Sequence, residues 1–211
     1  MADYSRLYDA ILNGDAKTAV AVTKEALAEN ADPMELVSKH MIPAMDEAGK
    51  RFECEEYFVP ELLLAARAMK GSLELIRPLL ATRGAEPAGR VVIGTVKGDL
   101  HDIGKNLVSS MLEGGGFEVV DLGADVPPEK FVDAVKTNNA NIVCLSALLT
   151  VTMPSMRTTI EALKQAGVRD RVKVMIGGAP VTQQYADEIG ADAYGENATA
   201  AVTFARKLVA K

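Results

Sequence analysis

The sequence predicts a four-helix bundle followed by an α/β domain built on a parallel sheet. Three observations carry that expectation. The apolar period up to residue 83 is helical, and beyond residue 89 short β-rich runs alternate with amphipathic stretches. Between them lies Gly84-Ala85-Glu86-Pro87-Ala88, a linker by its glycine and proline content. The expected domains are therefore 1–83 and 89–211, joined by 84–88.

In the first half, Leu7, Ala10 and Ile11 share a helical face, and Asn13-Gly14-Asp15 ends that helix. A second helix is expected over 16–29. Asp32-Pro33 reads as an N-cap followed by proline at the first helical position, where its missing N–H costs nothing. Met34, Val37, Met41, Ile42 and Met45 then form the expected buried stripe of a third helix. A fourth spans 60–80, with Leu63, Ala66, Leu73 and Ile76 among its apolar positions. Four helices with short connections suit an antiparallel bundle.

In the second half the runs 91–96, 117–121, 142–146 and 172–176 read as strands, and Tyr194-Gly195-Glu196 ends a further short one. Helices are expected to begin near Ile103, Pro128, Pro154, Pro180 and Asn197. Gly114-Gly115-Gly116 precedes a strand, so it reads as a helix C-cap and turn, not a phosphate cradle. Strict alternation of this kind gives a parallel sheet covered on both faces.

Charge and composition narrow the function. A formal net charge of −6 disfavours a nucleic-acid partner. No uncharged apolar run reaches the length of a membrane span, and the start lacks a secretory pattern, so a cytoplasmic setting without membrane contact is expected. Cys54 and Cys144 lie in different kinds of segment and read as free thiols. Glu53, Glu55 and Glu56 read as a solvated acidic turn, and His40 as an ordinary helix residue.

The chemistry concentrates in Gly98-Asp99-Leu100-His101-Asp102-Ile103-Gly104, which closes one apolar run and opens an amphipathic one. The turn after a parallel strand is where open α/β sheets present ligand-binding groups. His101, one of two histidines in the chain, has a carboxylate two residues before it and reads as a metal ligand with its own orienting partner. Two further motifs follow later strands, Ser146-x-Leu148 and Gly177-Gly178. Any one of them alone is weak; all three in this order are specific.

Together with Gly49-Lys50-Arg51-Phe52, Tyr57-Phe58-Val59-Pro60-Glu61-Leu62 and Ala65-Ala66-Arg67-Ala68-Met69-Lys70 in the helical half, these motifs resemble the cap and cobalamin-binding module of methionine synthase. In size and order the chain is most similar to the methyltransferase-cognate corrinoid proteins, and the resemblance covers nearly all of it. It implies a helical cap and a Rossmann-like (flavodoxin-like) cobalamin-binding domain with a parallel sheet. The implied cofactor is cobalamin, as methylcobalamin or a related corrinoid, with cobalt ligated by His101. Asp99 would orient the imidazole, and Thr152, six positions after Ser146, would extend the pair with its hydroxyl. Thr150 is a rival for a related role. Asp102, Ile103, Gly104, Ser146 and Leu148 would line the corrin and the slot for its nucleotide tail. Gly177 and Gly178 would leave room in that slot, and Tyr194 with Gly195 would close it. Phe52, Val59 and Leu62 would cover the upper face, with a hinge in the linker.

By the same resemblance the chain is a carrier subunit and not a complete enzyme. It would shuttle a methyl group between a donor-side methyltransferase and an acceptor-side methyltransferase using tetrahydrofolate or a thiol coenzyme, served by a reductive activator. Two other classes share the module. A subunit of an adenosylcobalamin-dependent mutase needs a barrel for which the chain has no room, and a cobalamin-sensing transcriptional regulator needs a basic DNA-reading helix.

Overall fold

The structure is a computed structural model that describes residues 4–82 and 86–210. Residues 84 and 85 of the expected linker lie outside the described residues. The chain divides chiefly at Pro87 into a helical unit and an α/β unit.

The helical unit contains α1 (Ser5–Leu12), α2 (Ala16–Ala28), α3 (Pro33–Leu36), α4 (Ile42–Glu53) and α5 (Val59–Thr82). Local chemistry sets the starts. The Asp15 carboxylate caps α2 by accepting the Thr18 N–H at 3.0 Å, and Asp32 caps α3 through the Met34 N–H at 3.1 Å. Between α3 and α4 runs a π turn, Val37–Met41, in which the Ile42 N–H reaches back to the Val37 carbonyl. Pro43 is its physical reason. A proline there has no N–H for the carbonyl four residues back and its ring crowds it, so the turn widens. One extra residue rotates the stripe by about 100°, which corrects the expectation for Met34: it is exposed, whereas Leu36, Val37, Met41, Ala44, Met45 and Ala48 are buried. In α5 the buried line is Leu62, Ala65, Ala66, Met69, Leu73 and Ile76, and Leu63 lies outside it.

The α/β unit contains β1 (Arg90–Thr95), α6 (Ile103–Gly114), β2 (Glu118–Asp121), α7 (Pro128–Asn138), β3 (Ile142–Ser146), α8 (Pro154–Gln165), β4 (Lys173–Gly177), α9 (Gln183–Ile189), β5 (Ala193–Gly195) and α10 (Ala198–Val209). The helix expected near Pro180 starts at Gln183, because the Thr182 hydroxyl caps it by accepting the Tyr185 N–H at 3.2 Å. All strand pairs are parallel, in the order β2-β1-β3-β4-β5. The central strands are almost continuously buried, as a sheet covered on both faces requires. One face carries Val92, Val96, Val143, Leu145, Val174 and Ile176 against Phe131 of α7, Met156 and Ile160 of α8, and Ala186 of α9.

This strand order reverses direction between β1 and β3. In doubly wound sheets the loops leaving the carboxyl ends of the strands at such a switch are the usual ligand position. The fold therefore fixes where to look: after β1 and after β3.

Candidate functional site

The loop after β1 carries Asp99 and His101, and the loop after β3 carries Leu148 through Thr152. They meet at one carboxylate. Asp99 is fully buried, a costly position for a charge without partners. Its Oδ1 accepts the His101 backbone N–H at 3.0 Å and faces His101 Nδ1 at 2.8 Å. Its Oδ2 accepts the N–H groups of Leu148 at 2.8 Å and Leu149 at 3.2 Å, and the Thr152 hydroxyl at 2.6 Å. Thr152 Oγ1 also lies 2.8 Å from the Leu149 carbonyl. Its one proton goes to the carboxylate, the shorter and charge-assisted contact.

Burial alone would push the Asp99 carboxyl up. The hydrogen bonds from Thr152, from the His101 and Leu148 N–H groups and from the imidazole outweigh it, and hold the group well below the usual carboxylate range. An ionised Asp99 only accepts, so His101 Nδ1 carries the ring proton in a neutral imidazole. Nε2 is then left with its lone pair. The His101 side chain is 49% exposed, in contrast to its buried partner. A second tie holds the loop below the ring: buried Thr95, at the end of β1, donates its hydroxyl to the His101 carbonyl at 3.0 Å.

The two loops and the start of α6 expose large apolar side chains. Ile103 and Val151 are 82% and 80% exposed, and Leu100, Leu148 and Leu149 stand beside them in the same two loops. Exposed residues of that size gathered at one sheet end mark a surface awaiting a ligand. Gly104 fits the same reading, since a Cβ added there meets no protein atom within 4 Å. Asp102 is half-buried at the start of α6, where its carbonyl accepts the Asn106 N–H at 2.7 Å, and Thr150 is exposed.

The sheet register lines up the small residues expected there. Thr95 pairs with Ser146, Ser146 with Gly177, and Gly177 with Gly195, so four small residues form one row across the carboxyl edge. Gly177 and Gly178 also have a nearer reason to lack a side chain than ligand space. A Cβ on Gly177 would lie 2.9 Å from the Gly195 carbonyl oxygen, and one on Gly178, at φ +131°, 1.9 Å from that of Ala147. The sheet end itself requires them. Tyr194 is not brought to this row: it sits one register step away, packed against the α7–α8 side of the sheet.

In the helical unit, Leu62 is fully buried, Phe52 half-buried and Val59 partly exposed. Near them Phe58, Leu63 and Leu64 are the other large exposed apolar groups, with Met34 and Leu79 elsewhere in the unit. Helical phase explains this, since Leu62 falls on the buried line of α5 and its neighbours do not.

Sequence reasoning missed Thr95 and the Leu148 and Leu149 N–H donors. Thr95 had a signal, a hydroxyl on the last residue of a buried strand; main-chain donors leave none.

The donor set restricts the metal chemistry. Among the described residues, no three His, Cys, Asp or Glu side chains gather as a cage. A single neutral imidazole retains an ion only if the ion brings its remaining ligands with it. A half-exposed imidazole, in loops that also expose leucine, isoleucine and valine, fits a macrocycle that already holds its metal.

Comparison with known proteins agrees with that geometry. A family profile described as "B12 binding domain" matches residues 89–203, and a second of the same description matches residues 4–77. The chain is 48% identical over 203 residues to a trimethylamine corrinoid protein of Methanosarcina acetivorans, covering 95% of this chain and 94% of that protein. It is 46% identical to a dimethylamine corrinoid protein of Methanosarcina barkeri, covering 97% and 96%. Among solved structures it resembles a chain of the methanol:cobalamin methyltransferase complex of Methanosarcina barkeri, with a TM-score of 0.85 at 28% identity. That match covers 98% of this chain and 79% of the other.

Proposed function

The chain belongs to the B12-binding domain family, and from that premise we propose that it carries a methyl group on a corrinoid between two methyltransferases. One observation supports the site more than any other: Nδ1 of His101 is engaged by a buried, ionised Asp99 while the imidazole side chain stays half exposed. When bound, the corrinoid supplies a cobalt centre that takes a methyl group from one partner enzyme and yields it to another.

The chain's own residues do the rest. His101 would hold the cobalt through Nε2. Asp99 fixes the ring's direction and tautomer. Thr152 and the two β3-loop N–H groups keep the Asp99 charge in place without water. The exposed apolar side chains of Leu100, Ile103, Leu148, Leu149 and Val151 would seat the macrocycle. At the row Thr95, Ser146, Gly177 and Gly195, Ser146 would be the polar group available to the cofactor's nucleotide tail.

A methylated amine is the donor class that the two curated relatives favour. Tetrahydrofolate or a thiol coenzyme is the acceptor, and a reductive activator restores oxidised protein. Cys54 and Cys144 as free thiols suit a cytoplasmic setting. No helix among the described residues is long and apolar enough to cross a membrane.

The test is spectroscopic. Apoprotein reconstituted with cobalamin should show a protein-ligated visible spectrum. Labelling histidine with 15N should alter the nitrogen hyperfine splitting of the cobalt(II) electron paramagnetic resonance signal. His101→Ala should retain cofactor and lose both signatures. An unchanged spectrum in that variant removes His101 from the metal. Methyl uptake from a methylated amine with its methyltransferase, but not without it, then tests the carrier role.

A further inference from the structure

The histidine loop is held from outside as well as from within, by a residue of the segment after β2. Asp125 adopts φ +53°, a left-handed conformation that costs an ordinary L-residue energy and that asparagine and aspartate bear best. Two of the other described non-glycine residues with positive φ are asparagines just past helices, Asn30 and Asn139. Asp125 has no such helix to end. Its side-chain Oδ1 accepts the Gly98 N–H at 2.7 Å, and its own N–H donates to the Asp99 carbonyl at 2.9 Å. Gly98 is itself left-handed, at φ +86°. The Gly98-Asp99 dipeptide is thus clasped by one residue at its first N–H and its last carbonyl, while the Asp99 N–H turns back to the Val96 carbonyl at 3.1 Å.

The clasp is anchored. The Leu122 N–H donates to the Ile93 carbonyl at 2.8 Å, the Thr95 N–H to the Gly123 carbonyl at 3.0 Å, and the Val126 N–H to the Thr95 carbonyl at 3.0 Å. Lys105 of α6, whose side chain is almost fully buried, pairs with Asp121 at the start of the segment. Asp121 Oδ1 accepts the Gly123 N–H at 2.9 Å. The segment that presents Asp125 is therefore continuous with the sheet ladder and pinned by a buried cation.

We propose that Asp125 is a positioning residue for His101. By fixing the Gly98–Asp99 peptide it sets the direction of the Asp99 carboxylate, and through that the tautomer and aim of the imidazole before any cofactor arrives. The inference rests on His101 as the lower ligand. Nothing in the Asp99–Thr152 network requires it, since those contacts come from the β3 side.

Three substitutions in the full chain separate the effects. Asp125→Asn keeps both left-handed tolerance and an acceptor oxygen. Asp125→Gly keeps the backbone freedom and removes the acceptor. Asp125→Ala removes both. Two readouts apply: the tautomer of His101 in apoprotein, from long-range 15N–1H correlation spectra, and the equilibrium between protein-ligated and unligated cobalamin in the visible spectrum. Asp125→Asn should match wild type. Asp125→Gly should lose the uniform Nδ1–H tautomer and shift the ligation equilibrium about tenfold toward the unligated form, the worth of one hydrogen bond. Both variants should still melt cooperatively, Asp125→Asn near wild type and Asp125→Gly a few degrees lower for its lost hydrogen bond, so that a general loss of fold is not what is read.

If Asp125→Gly retains either the wild-type tautomer or the wild-type ligation equilibrium, the proposal is wrong. Equal loss in the Asn and Gly variants also overturns it. If wild-type protein shows no histidine-dependent band, the reading of His101 fails instead, and the apoprotein tautomer alone decides on Asp125.

Discussion

Replacing Thr152 by valine preserves the side-chain volume and removes one proton donor from a buried carboxylate. In the native structure Asp99 Oδ2 has three donors, the Leu148 and Leu149 N–H groups and the Thr152 hydroxyl, and the hydroxyl contact is the shortest at 2.6 Å. Hydrogen bonds to charged groups contribute about 1.5–3 kcal/mol net. Thr152 is 6% exposed, so water cannot readily replace the lost donor. The two remaining N–H groups prevent complete loss of solvation, which places the expected cost near 2 kcal/mol. For a chain of this size that lowers the apoprotein melting temperature by about 4–8 °C. The Asp99 carboxyl should also titrate nearer the ordinary range, because its first lowering cause is gone. Thr152→Ser keeps the hydroxyl and should recover most of the loss. Adding Thr152→Val to Asp99→Asn should cost little further, since the charge it serves is absent; such a cycle isolates the pair. If Thr152→Val melts with wild type and is additive with Asp99→Asn, the hydroxyl does not support the carboxylate.

Two glycines that look alike in sequence should respond in opposite ways. Gly178→Ala would drive a Cβ to 1.9 Å from a backbone oxygen at φ +131°, so apoprotein stability should fall by several kcal/mol, seen as a large drop in denaturant midpoint. Gly104→Ala meets no protein atom in the first turn of α6 and should leave the apoprotein as stable or up to about 1 kcal/mol more so. The same change should weaken cobalamin uptake, measured by titration; unaltered uptake would mean that the open space at Gly104 is not the cofactor's. Burial pushes the Cys144 thiol up to about 12 from 9.0, so below pH 9 both states keep the proton and stability carries no dependence from this group. Above it the unfolded chain ionises first, and stability falls by about 1.4 kcal/mol per pH unit toward pH 12. Denaturation of wild type and Cys144→Ala at pH 9.5 and 10.5 should therefore differ in slope, and parallel losses would refute the assignment.

The residues that act through side chains within a few positions of one another were legible. Asp99 and His101 share a turn, whereas Thr152, with Thr150 as its rival, is reached only through the resemblance to the corrinoid proteins. The parallel sheet followed from alternation alone. Other features depend on distances that no periodicity encodes. The Leu148 and Leu149 donors are main-chain groups, so any side chain at those positions would present them. Tyr194 and Gly195 are adjacent in a three-residue strand, too short for its pleat to be phased from sequence, and they fall on opposite faces. In α5 the choice between Leu62 and its neighbours depends on one step of helical phase within a run of three leucines. The displacement of Met34 comes from Pro43, nine residues further on, through a π turn.

The strand order explains why two separate motifs can share one carboxylate. Asp99 and Thr152 are 53 residues apart, yet they leave neighbouring strands whose last paired residues, Thr95 and Ser146, lie side by side. A parallel sheet returns every strand to the same edge, so the length of the β2–α7 crossover between them is immaterial to the geometry. Parallel pairing also makes the site sensitive to register. A shift of β3 by one residue would turn Ser146 to the other face and carry Leu148, Leu149 and Thr152 away from Asp99 together. The three donors would be lost as a set, leaving a buried carboxylate with only the histidine loop to satisfy it. The cost of that state, several kcal/mol for an unpaired buried charge, gives the sheet a preference for its native register. The network that orients His101 thus also helps specify the fold that builds it.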